Sequence, residues 1–369
     1  MTHFDLAIIG AGMAGASIAS KIAGGRSVIM IEAEAQPGYH ATGRSVAFWT
    51  ESYGGPDVQP LTTASGDFLA APPPDFSPNG FLSPRGALHI GKQCDRQVAD
   101  DMISEFAASP LHFDRLGQAD IASHLPDVGE EWSEGVWEAG CSDIDVAALH
   151  AAYLRDAAKN GANLLCNSPV TNTRFKDGVW HIETARESFT AGLIVNAAGA
   201  WADQVAAAAG IAPIGITPFR RTVLQVETNP AIPVTAPLVI ALDGSFYFKP
   251  AGDGRIWLSP HDETPTQPCD AAPEEMDVAV TIDRFQQVGG WNIAKVEHKW
   301  AGLRSFSKDR LPVIGRDPSN PQFFWAAGQG GFGIQTAPAI AEISAALIRD
   351  QTPVLAGVDS TKYAPERFR

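Results

Sequence analysis

The strongest constraint on this chain lies near its start. Asp5-Leu6-Ala7-Ile8-Ile9 runs into Gly10-Ala11-Gly12-Met13-Ala14-Gly15, and a second apolar run, Val28-Ile29-Met30-Ile31, ends on Glu32. Gly10 permits a tight strand-to-helix turn, Gly12 lets a pyrophosphate approach the backbone, and Gly15 lets the helix close on the strand. The helix that follows, with Ala14 in its first turn, offers unpaired N–H groups and a positive dipole end to phosphate. Glu32 is placed to accept hydrogen bonds from a ribose. A glycine-rich turn alone is weak evidence. Strand, turn, helix, strand and acid in this order specify a dinucleotide-binding βαβ unit.

The 369 residues are enough for two domains with separate cores. A formal net charge of −15 argues against nucleic-acid binding and leaves no polybasic segment for anionic lipid. Cys94, Cys141, Cys166 and Cys269 lie far apart with no C-x-x-C pair, which fits reduced thiols better than a disulfide framework or a zinc site. The histidines show neither H-x-x-x-H nor H-E-x-x-H spacing, so no metal site is expected. No apolar run is long enough for a transmembrane helix, and Gly10 interrupts Leu6–Ile9 too early for a signal peptide. The expectation is a cytoplasmic protein, with peripheral contact at the inner membrane left open.

Farther along, the pattern changes repeatedly. Pro37 to Ser45 is small and polar, as a cofactor-wrapping segment is, and Pro56 to Pro84 reads as loop-rich. Residues 96–124 predict one or two amphipathic helices. Asp145 is placed to cap a helix over Val146–Lys159 that stops at Asn160-Gly161. Four strand-like runs follow, the last ending at Asn196-Ala197-Ala198-Gly199. From Ile216 to about Glu297 the alternation has period two, interrupted by a helix over Glu274–Val288, and so predicts an antiparallel sheet. Phe323–Ala327 predicts a strand, and Ala337–Arg349 a closing helix after the run Gly328 to Gly333. Nucleotide-type segments therefore occur at both ends and in the middle, with sheet insertions between them. Nicotinamide-dependent dehydrogenases usually keep this domain contiguous, so the layout favours FAD. The expected fold class is α/β, with a Rossmann-type FAD-binding domain (1–48, 138–215 and 300–369) interleaved with an α+β, antiparallel-sheet substrate domain (49–137 and 216–299).

Several segments carry a family resemblance over essentially the whole chain. They are Gln36–Ser45, Leu82–Arg85, Asp143–Asp145 with Ala148–His150, Val195–Trp201, Ser245–Pro250, Trp300–Phe306 and Gly328–Thr336. The chain resembles the FAD-dependent D-amino acid oxidase/dehydrogenase superfamily, and within it the D-amino acid dehydrogenases similar to bacterial D-arginine dehydrogenase. The resemblance implies non-covalent FAD: no cysteine occurs at Ser305–Pro312, where sarcosine oxidases attach the flavin, and attachment through His40 is the lesser alternative. It places Arg44 and Ser45 along the cofactor, Val170 near its adenine, Ala198 and Gly199 beside the dinucleotide, and Gly330, Gly331, Gly333 and Ile334 at its ring. It places Tyr53, Arg221, Tyr247, Arg304, Gly331 and Gln335 at the substrate. An arginine fork suits a carboxylate, which it pairs bidentately; the neighbouring Arg220 reads instead as a local ion pair.

The implied reaction is oxidation of a D-amino acid to an imino acid, which water converts to a keto acid and ammonia; quinone or dioxygen would accept the electrons. Two departures bear on specificity. Where the D-arginine enzymes have an acid this chain has Ala87, and where they have a histidine it has Phe48, followed by Trp49. A buried guanidinium without its carboxylate loses several kcal/mol. A neutral, apolar or aromatic substrate is therefore expected unless Glu51 folds inward. The alternatives are a glycine-, sarcosine- or D-proline-type amine oxidase, and a flavin-binding subunit of a multi-subunit opine or amine dehydrogenase.

Overall fold

In the computed structural model, which describes Met1–Arg369, the opening motif folds as a βαβ unit. Strand β1 (Thr2–Ile9), helix α1 (Met13–Ile22) and strand β2 (Val28–Ile31) follow one another, with β1 and β2 parallel from Leu6↔Val28 to Ile9↔Ile31. The turn depends on two glycines. A Cβ on Gly10, whose φ is +98°, would lie 2.5 Å from the Ala197 carbonyl oxygen, and one on Gly15 would lie 1.9 Å from that of Gly10.

Strand Ser188–Asn196 pairs in parallel with β1, Asn163–Leu165 with β2, and Asn320–Ala327 with the end of Ser188–Asn196. Val170–Lys176, Val179–Thr184 and Val313–Asp317 add antiparallel partners, completing eight strands. Both faces are covered, so the central strands are apolar without interruption. Leu6, Ile8, Val28 and Met30 pack with Ile18 and Ile22 of α1 and with Ile340 and Ile343 of helix Ala337–Ile348. Ala7, Ile9, Ile29 and Ile31 face the other way, toward Trp180, Ala202 and Ala206. Helix Val146–Lys159 is capped as its sequence predicts: the Asp145 side chain accepts from Ala148 N at 2.9 Å.

A ten-stranded sheet forms the second layer system. Its main path runs Gln329–Gly330, Asn292–Phe306, Thr217–Asn229, Arg255–Ser259, Tyr247–Gly252, Leu238–Ala241, Ala87–Lys92, Trp132–Glu138 and Asp114–Leu116, with Thr264–Pro265 added beside Thr217–Asn229. All neighbours are antiparallel except Leu238–Ala241 with Ala87–Lys92. Leu88, Leu224, Phe248 and Leu258 form its core with Val278 and Phe285 of helix Glu275–Gln286. The fold is thus α/β with a Rossmann-type sheet joined to a largely antiparallel one, as the sequence predicts.

Two local readings change. Gln59–Ala70, inside the stretch read as loop-rich, is a helix; Pro60 sits in its first turn, where a missing N–H costs nothing. The last long strand does not stop near Glu297 but runs through the Trp300–Phe306 motif. Its outer half is mostly exposed, so the apolar alternation that marks a strand fades there.

Candidate active site

Both sheets contribute to one cavity of about 470 Å³. At one end, β1 and β2 deliver Gly10, Gly12, Ala14 and Glu32, with Val170 beside them. Arg44, Ser45, Ala198 and Gly199 line its length, and Arg221, Tyr247, Arg304, Gly330, Gly331, Gly333 and Ile334 line the rest. Gly15 is not on the wall; it closes α1 against the turn behind it. Of the remaining substrate-site candidates, Gln335 lines an adjoining pocket and Tyr53 reaches the site through Arg304.

The dinucleotide end has the donors and acceptors its ligand needs. The Glu32 carboxylate, 9% exposed, accepts from Ala11 N at 2.9 Å and Glu34 N at 3.0 Å. Those two bonds pin it at the mouth of the glycine turn with acceptor capacity left for ribose hydroxyls. Thr42, which the sequence marked only as part of a polar run, accepts from Met13 N at 3.0 Å at the start of α1. The Nε2 of His150 bonds the Ala11 carbonyl at 2.9 Å from the side, and burial lowers its pKa. His40 pairs with Glu34 at 2.9 Å and packs on Trp201. Arg44 does not aim its guanidinium into the cavity: it is spent on Asp270 and the Ala271 and Ala301 carbonyls, so the residue contributes wall rather than charge.

At the other end, strand register assembles two cations. Arg221 pairs opposite Gly302 and Phe219 opposite Arg304, so the period of two puts Arg221 and Arg304 on one face as diagonal neighbours. Arg220 necessarily points the other way, to Glu274 at the N-cap position of helix Glu275–Gln286 and to Asp277 in its first turn, as its local ion-pair reading requires. Arg221 is 3% exposed; its Nε donates to the Asp262 carbonyl at 2.7 Å and one Nη to Glu263 at 3.2 Å, while Nη1 has no partner. Burial, and then the nearby Arg304, pull its pKa below the ordinary arginine value. Arg304 has a single hydrogen bond, to the phenol oxygen of Tyr53. The Tyr247 hydroxyl, also buried, has no partner. A Cβ on Gly331 would lie 2.2 Å from the Tyr53 hydroxyl and 3.0 Å from Arg304 Nη1, so only glycine fits against this pair.

His261, which the sequence did not single out, closes the site from behind. Its ring stands edge-on to Tyr247, Nδ1 bonds the Gly244 carbonyl at 2.8 Å, and burial, Arg221 and Arg304 push its pKa down to about 3. Gln335, 2% exposed, spends its amide on the chain: Nε2 donates to Thr62 Oγ1 at 2.9 Å and to the Thr50 and Tyr53 carbonyls at 3.2 Å. Ala87 is fully buried, packed with Phe48 and Tyr247. Glu51 does not fold inward; it bonds Thr63 on helix Gln59–Ala70. The only acids on the cavity wall, Glu32 and Glu34, stand at the dinucleotide end.

Comparison with known proteins agrees with this construction. The model of the family described as "DAO: FAD dependent oxidoreductase" matches residues 5–347. FAD-dependent oxidoreductase domain-containing protein 1 of Bos taurus is 25% identical over 93% of this chain and 81% of its own length. With the Xenopus laevis protein of that name, identity is 29% over 44% of this chain, which spans only 36% of that relative. Glycine oxidase of Bacillus subtilis is 28% identical over 54% of this chain and 53% of its own. Among solved structures, glycine oxidase from Geobacillus kaustophilus superposes with a TM-score of 0.86 at 20% identity, over 99% of this chain and 98% of that one. L-proline dehydrogenase from P. horikoshii does so with 0.86 at 22%, over 100% and 98%. The family model spans nearly the whole chain and the solved structures share its fold, so the chain belongs to the DAO family of FAD-dependent oxidoreductases.

Proposed function

We propose that this enzyme oxidises the C–N bond of an α-amino acid with a neutral, apolar or aromatic side chain, a D-amino acid in the first reading, and releases an imino acid that water converts to a keto acid and ammonia. The observation that carries the proposal is Arg304, a half-buried cation on the cavity wall whose one protein partner is a neutral phenol. With Arg221 Nη1 and Tyr247 Oη also unpaired, the site is short of one anion with several acceptor lone pairs. A substrate carboxylate meets that need. No acid stands on the cavity wall at this end: Glu263 is taken up by Arg221, Ala87 is buried and Glu51 is turned away, which leaves no carboxylate for a cationic side chain.

In this reading non-covalent FAD lies along the cavity and supplies the two-electron acceptor. The turn at Gly10, Gly12 and Ala14, closed from behind by Gly15, would hold its pyrophosphate, Glu32 its ribose and Val170 its adenine; Arg44, Ser45, Ala198 and Gly199 would flank it, and Gly330, Gly331, Gly333 and Ile334 would approach its ring. Arg221, Arg304, Tyr53 and Tyr247 bind the carboxylate, and the Gly331 carbonyl accepts from the amine. The protein's contribution is then orientation and charge, with no side-chain base. Residues 1–48, 138–215 and 300–369 make up the FAD-binding domain, and 49–137 and 216–299 the substrate domain.

A second reading, oxidation of glycine, sarcosine or D-proline, is favoured by the adjoining pocket. Beyond the main cavity, the adjoining pocket that Arg304 and Gly331 share with Val46, Ala47 and Phe48 adds only about 20 Å³, room for about one water. The likeness to Bacillus subtilis glycine oxidase supports the same reading. Anaerobic mixing of the purified chain with glycine, sarcosine, and D- and L-amino acids tests both. Bleaching of the visible flavin band by neutral D-amino acids, with D-arginine poor, supports the first reading, and bleaching confined to glycine, sarcosine or D-proline the second. A yellow protein that none of them bleaches overturns both in favour of a missing partner subunit.

A further inference from the structure

Tyr53 is the one substrate-site side chain not built on a regular element. It sits in a turn after the short strand Phe48–Trp49, and Gly54 and Gly55 follow it with φ of +105° and +80°. Such backbone has no ladder of its own to fix it, so something else must hold the Tyr53 phenol against Arg304.

Two buried side chains do so from opposite sides. Gln335 bonds the Thr50 and Tyr53 carbonyls. The other is Glu138, the last residue of strand Trp132–Glu138 and 4% exposed. Its Oε1 accepts from Glu51 N at 2.9 Å and Ser52 N at 3.4 Å, and its Oε2 from Ser52 Oγ at 2.5 Å. No lysine or arginine lies within ion-pair distance of it, so this buried carboxylate is held by the two residues preceding Tyr53 and by nothing cationic. A charge left in such a place is stable only when its hydrogen bonds are complete, which ties the turn tightly to the carboxylate. The neighbouring groups do not compete. Burial lowers the pKa of His89, against the opposing pull of the Glu138 charge, and Glu51, its pKa raised by burial and also by Glu138, turns to Thr63.

We propose that Glu138 is a positioning residue for substrate binding: by capping the Glu51 and Ser52 N–H groups and the Ser52 hydroxyl, it sets Tyr53 against Arg304 and so fixes the carboxylate site without touching the cavity. The inference rests on the carboxylate reading of Arg304 given above. Glu138 acts on affinity rather than on the oxidation step, because Tyr53 binds the part of the substrate that does not react.

The test is rapid anaerobic flavin reduction by each of glycine, sarcosine, D-alanine and D-proline that bleaches the wild-type enzyme, read as limiting rate and half-saturating concentration. Glu138→Leu raises the half-saturating concentration about tenfold or more, with limiting rate, FAD content and visible spectrum held. Glu138→Gln, which keeps one acceptor oxygen, recovers part of the loss. Ser52→Ala, which removes the bond to Glu138 Oε2 and keeps the two backbone bonds to Oε1, raises it a fewfold and stands in if Glu138→Leu does not fold. An unchanged half-saturating concentration in Ser52→Ala and in any folded Glu138→Leu, or a loss confined to the limiting rate, overturns the proposal. Arg304→Met separates the two failures. If it too leaves half-saturation unchanged, the carboxylate reading falls and the role of Glu138 with it; if it alone weakens binding, only the role of Glu138 falls.

Discussion

Arg220, Arg221 and Arg304 show how much one residue's chemistry depends on which face of a strand it occupies. Arg220 and Arg221 are adjacent in sequence, yet the first is neutralised by Glu274 and Asp277 while the second keeps an unpaired Nη1. Alternation along the strand makes that split legible from sequence once one of the two is placed. Replacing Arg304 or Arg221 by Met should raise the half-saturating substrate concentration by about ten- to a hundredfold, the loss of a charge-assisted hydrogen bond worth roughly 1.5–3 kcal/mol. Arg304→Lys should recover little, because an ammonium does not reproduce the planar fork; steady-state kinetics of the three variants checks both points. Gln335 and Glu138 were not legible in this way. Their partners lie 285 and 87 residues away, and nothing local in sequence distinguishes a glutamine at a substrate from one that clamps a turn.

Elements whose signals are local came through. The glycine turn and the Asp145 cap each depend on a few consecutive residues, and both fold as predicted. Helix Gln59–Ala70 was hidden because Pro60, Ser65 and Gly66 carry low helix propensity, which its packing against helix Ala337–Ile348 overrides. The parallel pairing of Leu238–Ala241 with Ala87–Lys92 was hidden as well, since no pattern within either strand encodes a partner about 150 residues distant. The glycine turn and the cap should also respond differently to mutation. Gly15→Val forces a side chain into the space of the Gly10 carbonyl, so the purified protein should lose its FAD, seen as loss of visible relative to protein absorbance. Asp145→Ala removes only a cap, costing about 1 kcal/mol in denaturant unfolding with FAD retained. Equal loss of FAD in both would show that the turn has no special place in binding.

At the scale of the whole molecule, packing two sheets together withdraws polar side chains from water, among them the buried His89 and His150 and the half-buried His261. His89, His150 and His261 are each shifted below the ordinary histidine value near 6.5, in every case first by burial, and His261 down to about 3. The unfolded chain binds protons at these positions as pH falls through 6.5, whereas the folded chain does not. The unfolded state therefore carries more protons, and stability rises with pH across that window and declines below it. Burial raises the carboxyls of Glu51 and Asp262, which works in the opposite direction from a starting point in the carboxylate range, below that of the histidines. Urea unfolding of the FAD-loaded protein should thus show a midpoint that is highest near pH 8 and falls steadily toward pH 5, before most carboxylates titrate. His261→Asn should flatten part of that slope, because the fold holds His261 far below its unfolded value, at about 3. A midpoint that stays level from pH 8 to 5, or an unaltered slope in His261→Asn, would show that these rings are not kept neutral by the fold.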